Sequence, residues 1–300
     1  MILSASRRTD IPAFYGEWFI RRLEEGYALS RNPMNPLQVS KIFLSPEKID
    51  CIVFWTKDPA PFMKHLPALD QLGYQYYFQF TLTPYHNTIE KNLRDKARII
   101  ETFQELSMKL GRHRVHWRYD PIIINDELTI SYHEKEFAYL CDKLKYDTKT
   151  CTISYVDLYT KINKTVKENI IRDVSDEEMK KMASILAEIG HGNGVELRAC
   201  SEKMNLEMYG IKPASCIDRA TIELICGRSI KVKQDKNQRE GCGCMESVDI
   251  GAYNTCKNGC IYCYANHSGE SIERNTAKHN IESALLIGNL TEQDKISVRN

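Results

Sequence analysis

Short apolar, β-prone segments alternate with longer amphipathic segments along the first two hundred residues of this chain. The predicted strands are residues 1–4, 51–55, 75–82, 115–124, 151–156 and 195–199, and the predicted helices are residues 13–26, 62–72, 90–110, 133–144 and 176–189. Two parallel strands need a long crossover connection, which a helix usually supplies. The alternation therefore predicts six βα units, an α/β fold class and a parallel sheet.

Polar residues lie near or just after the carboxyl end of each predicted strand. Parallel strands bring these ends to one edge of a sheet, where the βα loops carry functional side chains. The residues at these positions are Arg7, Arg8 and Asp10; Lys57 and Asp58; Thr81 and Thr83; Arg118 and Asp120; Tyr155 and Asp157; and Arg198, Cys200 and Glu202. Their recurrence after successive strands predicts one functional site at this edge.

Three cysteines, Cys256, Cys260 and Cys263, stand at x3 and x2 intervals near the end of the chain. Thiolates on one tight loop can bind three irons of a cubane 4Fe-4S cluster and leave the fourth iron open to another ligand. The alternative is a zinc knuckle that only stabilises the fold of this segment, with Cys242 or Cys244 as the fourth ligand. An odd number of cysteines without an export signal favours metal ligands over disulfides.

A second close pair, Cys242 and Cys244, flanks a glycine, and Cys200 and Cys216 lie upstream in polar contexts. These four thiols predict a second metal site, and an iron-sulfur cluster, zinc and no metal at all stay open as interpretations. The other four cysteines lie in apolar strand or helix patterns, where we expect small buried side chains; they are Cys51, Cys141, Cys151 and Cys226.

The charges of this chain nearly cancel, with 41 basic and 40 acidic side chains and a formal net charge of +1. They therefore predict no global attraction to nucleic acid or to an anionic membrane. Residues 1–10 lack the apolar core of a signal peptide, and no apolar run reaches the roughly 18 residues of a membrane span. We expect a cytoplasmic protein with no membrane partner. Residues 201–300 are predicted to form a cysteine-rich extension on a barrel built from residues 1–200.

The run from Cys256 to Cys263, with Tyr262 directly before the last cysteine, resembles the cluster loop of the radical S-adenosylmethionine (SAM) enzymes. In that family the open iron chelates SAM, and an electron from a donor such as flavodoxin or ferredoxin cleaves SAM to a 5′-deoxyadenosyl radical. The resemblance implies a 4Fe-4S cluster and SAM as cofactors. The family core is a six-stranded (β/α)6 partial barrel of the TIM type, which agrees with the six βα units.

Nearly the whole chain resembles the family DUF1848, whose C-terminal cysteines have been likened to the radical SAM loop. The matching stretches are residues 6–12, 54–59, 118–122 and 241–265. Residues 56–57 and 118–121 are also similar to strand ends of spore photoproduct lyase, a radical SAM enzyme of DNA repair. Two features depart from the radical SAM pattern. The cluster loop does not follow the first strand, and the glycine-rich motif after the second strand is absent.

The resemblance thus implies a permuted radical SAM architecture, in which the barrel comes first and the extension brings its cluster over the barrel mouth. Candidates to pair with the SAM carboxylate or a substrate anion are Arg7, Arg8, Lys57, Arg118 and Arg198. Candidates for ribose hydroxyls, the SAM amine or a substrate proton are Asp10, Asp120, Asp157 and Glu202. The substrate is unknown, and a nucleotide or nucleic acid is allowed. A metal-stabilised, non-catalytic binding module and a barrel hydrolase of phosphate esters or nucleic acid stay open as alternatives.

Overall fold

Eleven strands form two sheets in the residues described by this computed structural model, which are 1–158, 166, 170–200, 202, 204–239 and 241–299. The strands are β1 (Ile2–Ala5), β2 (Tyr27–Arg31), β3 (Gln38–Phe43), β4 (Cys51–Thr56), β5 (Tyr76–Thr81), β6 (Val115–Ile122), β7 (Thr150–Tyr155), β8 (Glu196–Ala199), β9 (Lys212–Pro213), β10 (Ser247–Asp249) and β11 (Lys295–Arg299). The large sheet has eight strands in the order β10-β1-β4-β5-β6-β7-β8-β9, and every pairing in it is parallel.

The six strands predicted from the sequence are β1, β4, β5, β6, β7 and β8, and they are neighbours in chain order. An α/β fold with a parallel sheet is therefore confirmed. The sheet has two strands more than the six predicted, because β10 pairs with β1 at one edge and β9 pairs with β8 at the other. No pairing between β9 and β10 closes the sheet within the described ranges.

Eight α-helices are described, and most of them cross over between the strands of the large sheet. They are α1 (Ile11–Phe14), α2 (Gly16–Glu24), α3 (Leu66–Gln71), α4 (Lys96–Leu110), α5 (Ile130–Leu144), α6 (Asp176–Gly192), α7 (Arg219–Cys226) and α8 (Gly269–Thr276). Ser175 and Glu178 form a capping box at the start of α6 and satisfy its first backbone N–H groups. None of the helices in the described ranges has the length and apolar character that a bilayer span needs.

The two faces of the large sheet contact different parts of the chain, because side chains alternate along each strand. On β5, Tyr76 and Phe78 belong to the main hydrophobic core, which lies between the sheet and its crossover helices. Tyr77 and Gln79 point the other way and donate hydrogen bonds to the carbonyl oxygen of Cys216, at 2.8 and 2.7 Å. The chain beyond residue 200 therefore packs on the second face of the sheet.

A three-stranded sheet, which the sequence analysis did not predict, lies beside the large one in the order β11-β3-β2. β2 and β3 pair antiparallel, and β11 pairs with β3 in parallel from the far end of the chain. The segment after residue 200 thus supplies strands to both sheets. Three of the four cysteines expected in apolar positions, Cys51, Cys141 and Cys151, are buried, and Cys226 is partly buried.

Candidate functional site

A cavity of about 1300 Å³ lies at the carboxyl ends of the strands of the large sheet. Seven of the nine charged residues predicted as candidates line it, namely Arg7, Arg8, Asp10, Lys57, Arg118, Asp120 and Asp157. The same cavity is lined by Tyr262 and by seven cysteines, which are Cys200, Cys216, Cys242, Cys244, Cys256, Cys260 and Cys263. Folding therefore brings the polar strand ends and both predicted cysteine sets to one site.

Two candidates lie outside the wall of this cavity. Arg198 does not line it, and its Nε donates a hydrogen bond to Glu196 Oε1 at 2.8 Å. Glu202 accepts a hydrogen bond from the backbone N–H of Tyr155 at 2.9 Å, and burial raises the pKa of its carboxyl to about 7. Glu202 thus supports the end of β7, whereas Arg198 pairs within its own strand β8.

The loop that carries Cys256, Cys260 and Cys263 docks on the segment before α4. The backbone N–H of Asn92 donates to the carbonyl oxygen of Asn258 at 3.1 Å, and an antiparallel bridge pairs Glu90 with Cys260. Gly259 has φ +69°, and a Cβ there would approach Asn92 Nδ2 to 2.9 Å. Only glycine fits this turn without strain, because its backbone is left-handed and its neighbour is close.

Glu90 is the central polar contact beneath the loop, and it is 1% exposed. Its carboxylate accepts hydrogen bonds from Lys57 Nζ at 2.7 Å, from Thr83 Oγ1 at 2.8 Å, and from Lys96 Nζ and Tyr262 Oη. Burial by itself opposes ionisation, but the two ammonium groups lower the pKa of Glu90 to about 2. Tyr262 is thereby fixed to a buried ion cluster.

Asp10 connects the end of β1 to the same loop. Its carboxylate accepts hydrogen bonds from the backbone N–H of Lys57 at 2.8 Å, from Asn258 Nδ2 at 3.0 Å and from the backbone N–H of Ala13 at 3.0 Å. Burial raises the pKa of Asp10 to about 6 despite these donors. Because Asn258 lies between Cys256 and Cys260, Asp10 positions the loop and also caps α1.

The thiols of the loop are packed against the protein interior. Burial raises the pKa of Cys260 to about 12, although Lys57 opposes that rise, and burial also raises the pKa of Cys256 well above its usual range. Buried thiols of this kind become thiolates only when a nearby positive charge compensates them. Within the described ranges, no group of three or more His, Cys, Asp or Glu side chains is arranged to hold one metal ion. The three thiolates that hold a cubane each bind a different iron, so they need not converge on one position.

The other four cavity cysteines come from three separate segments and form a row of contacts. The sulfurs of Cys200 and Cys216 are 3.4 Å apart. Further side-chain hydrogen bonds join Cys216 to Cys244 and Cys244 to Cys242. Arg118 Nη1 donates to Cys216 Sγ at 2.7 Å, which places a cation directly beside this row.

Sequence reasoning missed Glu90, Trp55 and Asp249. Glu90 stands at the start of a predicted helix, where a carboxylate normally faces solvent, and Trp55 lies within a strand pattern. Asp249 ends the three-residue strand β10, which is too short to give a periodic signal. Its carboxylate accepts hydrogen bonds from Ser6 Oγ at 2.5 Å and from the backbone N–H of Arg7 at 2.8 Å. The aspartate two residues before a glycine, at positions 249 and 251, was the available clue.

The fold and the site together define an α/β protein whose parallel strands end at a large cavity lined by cysteines and arginines. This chain belongs to the family DUF1848, which is described as a domain of unknown function and whose model matches residues 2–265. The match ends just after Cys263, so it includes both sets of cavity cysteines. No curated protein and no solved structure matches the chain.

Proposed function

We propose that this protein is a radical SAM-type enzyme with a permuted (β/α)6 partial barrel, in which Cys256, Cys260 and Cys263 hold a 4Fe-4S cluster. When bound, the cluster supplies the electron that cleaves SAM and yields a 5′-deoxyadenosyl radical able to abstract hydrogen from a substrate. The electron comes from a cytoplasmic donor such as flavodoxin or ferredoxin. One observation carries the proposal: the three cysteines line the same strand-end cavity as Arg8, although they are about 250 residues away in the chain.

The residues around the loop keep its thiols at the cavity wall. Asp10 holds Asn258, and Glu90 holds Tyr262, so hydrogen bonds restrain the loop within each of its two cysteine intervals. Lys57 lies beneath Cys260 and is positively charged, since the carboxylate of Glu90 raises the pKa of this lysine although its burial opposes that rise. A fixed cation next to a thiolate favours the ionised ligand that metal binding requires.

Arg8 is the residue of this site best suited to bind the carboxylate of SAM. Its own contacts are long, with Nη1 3.4 Å from the carbonyl oxygen of Gly251 and Nε 4.0 Å from Asp249 Oδ1. Lys57 and Arg118, by contrast, are already paired with the carboxylates of Glu90 and Asp120. A guanidinium with remaining donor capacity can bind a carboxylate through two parallel hydrogen bonds. We therefore assign this role to Arg8.

The decisive experiment compares anaerobically reconstituted wild-type protein with a variant that combines Cys256→Ala, Cys260→Ala and Cys263→Ala. We expect the variant to lose about four irons per chain, the matching absorbance near ~400 nm, and dithionite-dependent formation of 5′-deoxyadenosine. Cys226→Ala is the matched control, because Cys226 lies outside the cavity wall. This variant should keep its iron, its absorbance and its formation of 5′-deoxyadenosine. Undiminished cleavage of SAM by the triple variant would refute the proposal.

The same measurements separate the alternatives. Zinc without iron or sulfide in the wild-type protein would support the metal-stabilised binding module. Hydrolysis of phosphate esters by protein freed of iron would support the hydrolase.

Arg8 is tested by substitutions that leave the cluster ligands intact. Arg8→Met should raise the Kd of SAM at least about 10-fold, because a charged hydrogen bond contributes about 1.5–3 kcal/mol. Arg8→Lys should recover part of that affinity, since it keeps the charge but loses the bidentate geometry. Lys64→Met removes an exposed cation paired with Glu17 and serves as the control. Unchanged SAM binding by Arg8→Met, at unchanged iron content, would exclude this role.

A further inference from the structure

Four buried or partly buried thiols form a second cysteine group, Cys200, Cys216, Cys242 and Cys244, in the wall of the cavity. They come from the end of β8, from the loop after β9 and from the loop before β10. Long-range folding therefore collects four metal-binding side chains that are spread over 45 positions of the sequence. All four side chains line the cavity, and they also pack in the hydrophobic cluster on the second face of the sheet.

Two guanidinium groups are directed at the second cysteine group. Arg118 is 6% exposed and donates from Nη1 to Cys216 Sγ at 2.7 Å. Arg7 interacts electrostatically with Cys216 and Cys244. The ring of Trp55 contacts both cations, with its centroid 5.0 Å from Arg7 Cζ and 5.3 Å from Arg118 Cζ. Trp55 thus holds the two guanidinium groups beside the thiols.

The charges of these two arginines are not equally compensated. Arg118 is paired with the carboxylate of Asp120. Arg7 forms no ion pair among the described residues, and its Nη2 is buried without a hydrogen-bond acceptor. The carboxylates of Asp249 and Asp235 act on Arg7 only at longer range, so this guanidinium keeps donor capacity for an anion that neutral thiols do not supply.

We propose that the second cysteine group binds a metal centre through four thiolates, with Arg7 and Arg118 as its counter-ions. Four thiolates around Zn²⁺, or around an iron-sulfur cubane of core charge +2, give a net charge of about −2, which the guanidinium groups of Arg7 and Arg118 partly offset. This centre is separate from the SAM-binding cluster and does not depend on it. Arg7 and Arg118 therefore act as positioning residues for the second centre and do not bind SAM.

The distances between the sulfur atoms are compatible with cysteines that move together when a metal binds. Zn–S bonds of about 2.3 Å in a tetrahedron place two sulfurs about 3.8 Å apart, and the sulfurs of Cys200 and Cys216 are already 3.4 Å apart. The four thiols form a row of contacts and not a tetrahedron, so metal binding has to draw Cys242 and Cys244 toward the other pair. Such gathering is usual where binding of the metal supplies part of the folding free energy.

The test starts from the chain that carries Cys256→Ala, Cys260→Ala and Cys263→Ala, so that only the second group remains. Purified without oxygen, this chain should retain either about one zinc, or about four irons with matching sulfide. Adding Cys216→Ser and Cys244→Ser should remove that metal, with far-UV circular dichroism as the check on folding. Absence of metal from the triple variant, or metal that survives the two serine substitutions, would overturn the proposal.

The counter-ion role is tested with all cysteines intact. Arg7→Met should lower metal retention by the second centre about 10- to 100-fold in competition with a chelator, and Arg7→Lys should restore part of it. Arg31→Met is the matched control, because Arg31 also lines the cavity but pairs with Asp294. Equal retention by the Arg7→Met and Arg31→Met variants would refute the role of Arg7. If the triple variant keeps its metal while the wild type fails to cleave SAM, the second centre stands and the proposed function fails.

Discussion

Replacing Glu90 with glutamine removes one negative charge from a buried cluster of two lysines, a tyrosine and a threonine, with almost no change in shape. Lys57 and Lys96 then lose the counter-ion they share. The pKa of Glu90 is about 2, compared with 4.5 for an ordinary glutamate, because the two ammonium groups outweigh the effect of burial. Each pKa unit corresponds to about 1.4 kcal/mol, so Glu90→Gln should lower the free energy of unfolding by about 3 kcal/mol at pH 7.

The effect should depend on pH in a defined direction. The folded-state pKa of Glu90 is lower than its unfolded-state value, so its ionised form contributes fully above about pH 4.5 and loses its contribution as the pH falls toward about 2. The difference between wild type and Glu90→Gln should therefore shrink to about 2 kcal/mol at pH 3.5. A loss caused only by altered packing would not change over this interval.

Urea unfolding of the metal-free, reduced chain, followed by circular dichroism at pH 7 and pH 3.5, measures both quantities. With an m-value of about 3 kcal/mol/M, the midpoint should fall by about 1 M at pH 7. Glu101→Gln is the matched control, because Glu101 is 61% exposed and pairs with Arg98 on the surface. It should change the free energy of unfolding by less than about 0.5 kcal/mol. A midpoint shift for Glu90→Gln no larger than that of the control would refute the reasoning.

Three further substitutions test other parts of the structure. Gly259→Ala should lower the free energy of unfolding by more than the ~1–2 kcal/mol that a left-handed backbone costs a residue with a Cβ, and it should impair iron reconstitution. Gly288 has a similar φ but lies in open space, so Gly288→Ala should cost only the backbone strain. Tyr262→Phe should cost about 1.5–3 kcal/mol in urea unfolding, because Glu90 loses a buried hydrogen bond; wild-type stability would contradict that contact. Burial lowers the pKa of His133 to about 4, so the contribution of this side chain to stability should fall by up to about 3 kcal/mol as the pH drops from 6.5 to 4. The difference in free energy of unfolding between wild type and a His133→Gln variant should change by that amount over this interval, and an unchanged difference would contradict the prediction.

The elements with strong local patterns could be predicted from the sequence. The six apolar segments became six parallel strands, and Ser175 began a helix, because local backbone preference and side-chain burial agree at these positions. The predicted helix over residues 90–110 instead begins at Lys96, since Asp95 caps it and the residues before it contact the cysteine loop. Strands β9 and β10 were missed because they have two and three residues and depend entirely on their partners.

The candidate site was only partly predictable for the same reason. Arg198 lies in the carboxyl half of strand β8, yet it lies outside the cavity wall and pairs with Glu196, whereas Arg118 of β6 lines the cavity. Side-chain direction at a strand end depends on the local twist and on the neighbouring strand, which sequence spacing does not report. Glu90 was missed because two of its partners are distant in the chain and meet it only in the folded interior: Lys57 is 33 residues away and Tyr262 is 172 residues away.

The sequence by itself determined the alternation of strands and helices and the short spacing of Cys256, Cys260 and Cys263, because both depend on residues close together in the chain. Only the tertiary structure decided that these cysteines share a cavity with Arg7, Arg118 and the second cysteine group. It also decided that β10 and β11 return from the end of the chain to pair with β1 and β3. Such contacts join segments more than two hundred residues apart, and they form only when burial of apolar surface and pairing of buried polar groups are satisfied together throughout the fold.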